Sequence, residues 1–409
     1  MPASAYNQGS GTLAPEVRAQ YDKEYLIASQ ANLAYDQLTD ARDAPDAPNG
    51  VSREFPLIDS LQPQFGVLDE MTDVTPQVMR ANAISVTLGE HGGAVQLTRF
   101  VIGVSYSDVL EQAAYANGYN MAESIDIFAR DTMGQGGRQY FPVAGATRAT
   151  LSGATATHKL APGPLELVSM LARQRGMPLF PDNTLAAVCH PFVIYDLLQD
   201  TASIRALSIQ QHAEIMFNAE IAYWGGIRLV STRNAKILWG AGAANASAVA
   251  TTLAANSLVG DSNIKVTAIT NIAVGQTLTL VDVTEPGNTW TNTNEGFVVT
   301  AVGTAGAGGT GITGYAVDPG PGDAGGLRFA HTSGIAITNN YSVFPVSVVG
   351  PRSVVKAWST LTGPYGESVV APSVDTLGRF QAIGWYAILG YARTRTDWVN
   401  RIEVASSQA

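Results

Sequence analysis

The sequence predicts an α+β chain with an all-β segment inserted into it, and three observations carry that prediction. Short alternating strands and helix-periodic stripes interleave through residues 82–240. Between residues 241 and 345 the composition changes: two basic residues, Lys265 and Arg328, stand among sixteen glycines, with Val/Thr/Ile alternation at 274–280 and 296–302. After residue 346 the earlier style returns. Both ends of the chain therefore build one body, and a β domain of sandwich or barrel type is grafted into it.

Bulk composition narrows the function classes. A chain of 409 residues allows two to three domains. Its formal net charge of −10, with no local basic stripe, argues against free nucleic-acid binding. One cysteine, Cys189, excludes a disulfide framework and a cysteine-based zinc site. Hydrophobic residues make up 46%, enough for large cores, while charged residues are only 14% against a typical ~25%. Much of the surface is thus expected to be covered by neighbours or to be neutral β structure. Residues 1–15 show no secretory signal, and 241–260 reads as a linker, so no membrane segment is expected and the chain is placed in a cytoplasm.

From the N-terminus, residues 1–50 read as an arm. Pro15 opens a helical segment with Tyr21, Tyr25, Ala28 and Tyr35 at helical spacing, followed by a Pro/Asp/Asn/Gly break. Residues 51–81 are apolar without a period: Phe55, Leu57, Ile58, Leu61, Phe65, Val67, Leu68, Met71 and Val74 are interrupted by Pro56, Pro63, Gly66 and Pro76. A projecting loop or ribbon that docks on another subunit accounts for them. Residues 84–88 and 95–97 alternate around Gly89–Gly93, which predicts a hairpin. Ser107 is expected to cap a long helix with the stripe Leu110, Ala114, Met121, Ile125 and Phe128, ended by Gly134 to Gly137. Gly118 inside it predicts a bend or close contact. Helices are further expected at 164–176, 191–199 and 209–222, and strands at 185–189 and 227–231. The last strands, 382–390 and 397–404, are long enough to pair with the early hairpin.

Catalytic chemistry is hard to find. None of His91, His158, His190, His212 and His331 has a second ligand at i+3 or i+4, so no metal site is expected. Cys189 and His190 are neighbours at a strand end and point to opposite faces, which prevents a nucleophile–base pair. The glycine run 303–311 lacks the lysine and helix of a phosphate loop, and Gly240 with Gly242 lacks the rest of a dinucleotide fingerprint. Asp69, Glu70 and Asp73 lack calcium-loop spacing and read as a charge patch. No nucleophile-elbow serine or placed carboxylate pair is present. No catalytic residue, metal or cofactor is expected.

The order of features resembles the major capsid proteins of tailed bacteriophages with the Hong Kong 97-type fold, and more narrowly the N4-like podophage branch. Residues 14–26, from Ala14 through Tyr21 and Tyr25 to Leu26, look like that branch's N-terminal arm. Residues 68–76 look like its extended-loop segment, with Asp73 where a glycine is usual. The strand pair 84–98 and the helix from Ser107 resemble its strand pair and spine helix. Residues 224–232, then 378–385 with Arg401 to Glu403, look like strands of its later domains. The likeness spans 14–240 and about 346–404, and the β insert departs from it.

The resemblance implies seven segments: an N-terminal arm (1–50), an extended loop (51–81), a peripheral domain with the spine helix (82–160), the first part of an axial domain (161–240), the β-rich insert (241–345), the second axial part (346–380) and C-terminal peripheral strands (381–409). It implies self-assembly in hexamers and pentamers into an icosahedral shell around packaged double-stranded DNA, without sequence-specific binding. Portal and scaffolding proteins are implied partners, and a decoration protein is left open. The protein would be made in the bacterial host cytoplasm and reside in the virion. Intersubunit contacts are expected at Phe55, Leu57, Ile58, Leu61, Phe65, Leu68, Met71, Tyr21 and Tyr25. Nineteen arginines against five lysines suit desolvated interface pairs, and no lysine in 51–81 is available for a crosslink. Two alternatives remain: a non-viral nanocompartment (encapsulin-like) shell, and a surface glycan-binding protein acting through the insert. The insert itself is expected to project outward as a built-in decoration, dispensable for assembly.

Overall fold

A computed structural model describes residues 33–44, 52–58, 61, 63, 66–67, 70–71, 76–79, 81–105, 108–135, 137–199, 223–281, 293–318, 325–371 and 379–408. The chain forms two compact units, Met1–Thr132 with Pro351–Arg395, and Met133–Gly350 with Thr396–Ala409. The segments implied by the resemblance have boundaries at 160, 345 and 380 instead. Strand residues 138–140 and 399–405 pair in the sheet of the second unit, and 354–359, 367–371 and 380–393 in that of the first.

In the first unit the chain passes through β1 (Asp40–Ala44), β2 (Ser52–Ile58), β3 (Ala81–Thr87), β4 (Gly89–Thr98), a short helix α1 (Arg99–Val104) and the long helix α2 (Val109–Gly134), which ends in the second unit. Asp108 caps the start of α2: its Oδ1 accepts the backbone N–H groups of Leu110 and Glu111 at 3.0 and 3.2 Å. Ser107 lies outside the described residues. Gly118 is buried. Tyr35 does not continue a helix; it precedes a single 3-10 turn, Asp36–Leu38.

The second unit begins with β5 (Arg138–Tyr140), α3 (Pro162–Gln174), β6 (Leu185–Cys189), α4 (Pro191–Gln199), β7 (Tyr223–Trp224) and β8 (Ile227–Ser231). The expected helix at 209–222 falls outside the described residues. The segment then enters its own antiparallel sheet: β9 (Ala250–Thr252), β10 (Asn263–Ile264), β11 (Thr277–Val281), β12 (Glu295–Val302), β13 (Ile312–Ala316) and β14 (Ala336–Thr338). Their spatial order is β10-β13-β12-β11-β14-β9. Alternation along these strands buries Ile264, Leu278, Leu280, Phe297, Val299, Ile312 and Ile337 in a separate core.

Chain return is through β15 (Val343–Val349), buried along its whole length, then β16 (Val354–Ser359), β17 (Glu367–Ala371), β18 (Phe380–Arg393) and β19 (Val399–Ala405). The second unit's α/β sheet has the order β5-β19-β15-β6-β8-β7, and α3 and α4 pack on it through Leu165, Val168, Ala172, Val193 and Leu197. The insert is not loosely tethered to this body. The ring of Trp239, part of the α/β core, lies against Gly296 of β12, where a Cβ would overlap it. Arg233 and Arg328 both pair with Asp318, at 3.2 and 2.6 Å.

Two expected pairings are corrected. β3 pairs with β2, not with β4, and β4 pairs along its length with β18, so 84–98 is no hairpin. Gly92 and Gly93 are strand residues: a Cβ on Gly92 would stand 2.8 Å from the Trp385 carbonyl oxygen. They serve close strand approach rather than a turn. Of the last two strands only β18 meets β4; β19 pairs with β15 and β5. Burial explains the choice, since all seven residues of β19 are buried and need a covered central position.

Candidate assembly interface

The two-stranded ribbon β2–β3 pairs from Ser52 with Thr87 to Ile58 with Ala81. Pro56 is tolerated there because a two-stranded ribbon has free edges. Where the ribbon meets the sheet, Phe55 and Val86 are buried with Val355 and Ala357. Phe55 therefore packs inside its own chain, and its benzyl group is not left for a neighbour as the sequence reading expects. Beyond that root the picture inverts. Leu61 is 56% exposed, Met79 60%, Val78 86%, Met71 92% and Val67 fully exposed. Burying each is worth about 1.5–3 kcal/mol, so this segment carries a large unspent drive to associate. Leu57 is half-buried. The side chain of Ile58, and all of Tyr21, Tyr25, Phe65, Leu68, Asp69 and Asp73, lie outside the described residues. Glu70 is exposed.

Helix α2 packs on the face of the first unit's sheet opposite the ribbon. Ala114, Met121 and Ile125 are buried and Leu110 and Phe128 partly so. Met121 and Ile125 pack with Trp385, Ala387 and Leu389 of β18. Two asparagines fix its register: Asn117 Nδ2 donates to the Ile383 carbonyl at 2.8 Å, and Trp385 Nε1 donates to Asn120 Oδ1 at 2.9 Å. α1 buries none of its residues, and Phe100, Val101 and Val104 are exposed on it.

The root of the arm is held by charges that sequence reasoning missed. Asp126 of α2 accepts the backbone N–H groups of Tyr35 and Asp36 at 2.6 and 3.2 Å. The Asp36 carboxylate takes Lys356 Nζ at 2.7 Å and the Tyr391 hydroxyl at 2.6 Å, all three buried or nearly so. Burial pulls the Lys356 ammonium below the usual lysine range, opposed by the adjacent Asp36. Burial, then Asp36, pushes the Tyr391 phenol well above its usual value. The signal was a lysine between Val355 and Ala357 in a strand that otherwise reads as core.

Among the described residues, no catalytic grouping is found elsewhere. The Cys189 thiol is pushed up to about 12 by burial, far from a nucleophile's range. Ser257, His331 and Glu295 come together in the insert, with His331 Nε2 2.6 Å from Glu295 Oε1. All three are at least 96% buried and the Ser257 hydroxyl makes no hydrogen bond. Glu295 also accepts the N–H groups of Arg328 and Phe329. This grouping pins the 328–331 segment to β12 and offers no approach to a substrate. His91 stacks at 4.4 Å on Phe128, and His158 Nδ1 accepts the Ser152 N–H; His212 lies outside the described residues. The glycine run 303–311 closes on itself through Thr304 and Thr310, with Lys265 Nζ donating to the Gly309 and Thr310 carbonyls. Among the described residues no three His, Cys, Asp or Glu side chains form a metal-binding group, and no helix is long and apolar enough to cross a membrane.

The whole architecture has solved counterparts. The capsid protein of Ralstonia phage GP4 superposes with a TM-score of 0.53 over 98% of this chain and 96% of that one, at 13% identity. The cyanophage Pam1 capsid protein does so with a TM-score of 0.52 over 100% and 98%, also at 13% identity. The fold is that of bacteriophage capsid proteins. The head protein of Helicobacter pylori bacteriophage KHP40 agrees, with a TM-score of 0.50 over 93% of each chain at 11% identity. No family model and no curated protein sequence matches the chain. At such identities the capsid fold is what is shared, and the exposed apolar residues above are this chain's own.

Proposed function

We propose that the protein is the major capsid protein of a tailed bacteriophage, self-assembling into an icosahedral shell around packaged double-stranded DNA. The carrying observation is reciprocal coverage: a capsid fold accounts for nearly all of this chain, and this chain for nearly all of the capsid proteins it matches. The exposed apolar side chains of 61–79 supply the physical reason to associate. In this reading 1–50 is the N-terminal arm, 51–81 the extended loop, and α2 the spine helix of a Hong Kong 97-type subunit. The order of motifs supports the N4-like branch. Hexamers and pentamers, a portal and a scaffolding protein follow, with assembly in the host cytoplasm and residence in the virion.

A net-acidic wall suits this role, because few cations are present to hold phosphate by counterion release. Neutral glycine-rich loops on the insert suit an outward-facing ornament. The test is direct: the purified chain, concentrated or co-expressed with its scaffold, should give closed particles in negative stain, and particles from infected cells should contain DNA. Closed shells that hold a cargo enzyme and no DNA would favour a nanocompartment. Persistent monomers would end the shell reading.

A further inference from the structure

On the face of the first unit's sheet opposite α2, the ribbon's root covers the β16 end, and among the described residues a groove lies further along β18. There β4, β18 and β17 contribute cross-strand rows: Gly92, Tyr386 and Glu367, then Ala94, Gly384 and Val369. The second row has little side-chain volume, and the groove of about 550 Å³ lies over it, continuing to Ala382. Backbone packing forces it. A Cβ on Gly384 would stand 2.6 Å from the Gly93 carbonyl oxygen, so no side chain can fill the floor. The rim is acidic, with Glu367 exposed on β17 and Glu90 hydrogen-bonded to the Tyr386 hydroxyl. An apolar floor with an acidic edge suits a segment carrying modest apolar side chains next to a cation.

Residues 76–80 of this sequence have that character. Val78 and Met79 are exposed, and Arg80 follows. The other exposed apolar stretch, around Val67 and Met71, carries Asp69, Glu70 and Asp73 and would meet like charge. The segment cannot reach the groove of its own chain. Thr87 lies against Gly390, and Val86 packs with Val355, whose partner is Ala392. β3 thus runs from Thr87 away from Gly384, and its length carries Ala81 about 20 Å further off.

We infer that the groove over Ala94, Gly384 and Val369 seats residues 76–80 of a second copy of the chain, with Arg80 beside Glu367. The inference rests on the self-assembly proposed above and names the partner surfaces. Val78→Cys and Val369→Cys placed in one chain test it, since the native Cys189 is fully buried. Mildly oxidised particles should give disulfide-linked oligomers that collapse to the 43.0 kDa chain on reduction, while each single variant does not. Glu367→Arg, exposed and so compatible with folding by circular dichroism, should lower particle yield about tenfold, and adding Arg80→Glu should restore it. Particles without the 78–369 disulfide, a monomeric intrachain disulfide, or a yield indifferent to the charge swap overturn the groove assignment and leave the shell standing. A folded wild-type chain that never forms particles overturns the shell and this inference with it.

Discussion

His190 should make the second unit acid-sensitive in a window set by its own pKa. The imidazole sits at the start of α4, 4.6 Å from the Phe192 ring and 5.6 Å from that of Phe344, and is 8% exposed. Its Nδ1 accepts the Phe192 N–H at 3.3 Å, so Nδ1 is unprotonated and a second ring proton would face that donor. Burial, only partly opposed by Asp318, lowers the pKa from 6.5 to about 4. A base with a depressed folded pKa binds fewer protons in the native state than in the unfolded chain. Stability therefore rises with pH between about 4 and 6.5 and falls on acidification through that window. The 2.5-unit difference is worth at most about 3 kcal/mol, and about 2 kcal/mol at pH 5 relative to neutrality. Urea unfolding followed by tryptophan fluorescence at pH 7 and pH 5 reads it. His190→Asn keeps an acceptor near Nδ1 and cannot titrate, so its loss between the two pH values should be about 2 kcal/mol smaller than the wild type's. Equal losses in both proteins would show that the buried imidazole does not control the acid limb.

Other perturbations follow from the same contacts. Lys356→Met strands the buried Asp36 carboxylate and should cost about 3–5 kcal/mol in thermal or urea unfolding, with earlier proteolysis near residues 33–44. Adding Asp36→Asn should recover much of it; a single variant as stable as wild type refutes the pairing. Gly296→Ala places a methyl group in the Trp239 ring and should cost about 1–3 kcal/mol with a changed near-ultraviolet spectrum. Boiled particles should run as one 43.0 kDa band, because 51–81 contains no lysine, and a ladder would contradict this. Deleting 245–342 bares Trp239, so the shortened chain should be less soluble than the same deletion with Trp239→Ser; equal solubility would mean the insert covers nothing.

Sequence and structure agree where a period repeats often enough to leave one interpretation. Met121 and Ile125 mark one face of α2 and are fully buried, and the alternation at 274–280 and 296–302 falls on β11 and β12, with β11 starting only at Thr277. Disagreement arises where one residue type serves two purposes. Gly89 to Gly93 reads as a turn, yet glycine there permits β4 to approach the Trp385 backbone. β19 reads like β18 because local alternation does not name a partner; its partner is fixed by burial on both faces, a long-range property. Asp36 and Lys356 lie 320 residues apart, and no local pattern joins them. The groove at Gly384 was equally illegible, because it exists only once three strands lie side by side.

What holds each unit together and what makes it associate reside in different residues. The cores around Phe344 and Val346, around Leu278 and Phe297, and around Met121 and Trp385 are all closed within one chain. Val67, Val78 and Met79 contribute almost nothing to those cores, being 60% or more exposed. Polar substitutions at these three positions should thus stay within about 0.5 kcal/mol of wild type in subunit unfolding, as exposed sites do. The same substitutions remove apolar area that only a neighbour could cover, so their effect should fall on assembly. Phe55 behaves oppositely: truncating it opens the cluster with Val86 and Val355, and assembly then suffers only because the root of the ribbon is lost. Under the proposed assembly, a chain built this way folds first and associates afterwards, with its stability and its interfaces free to vary separately.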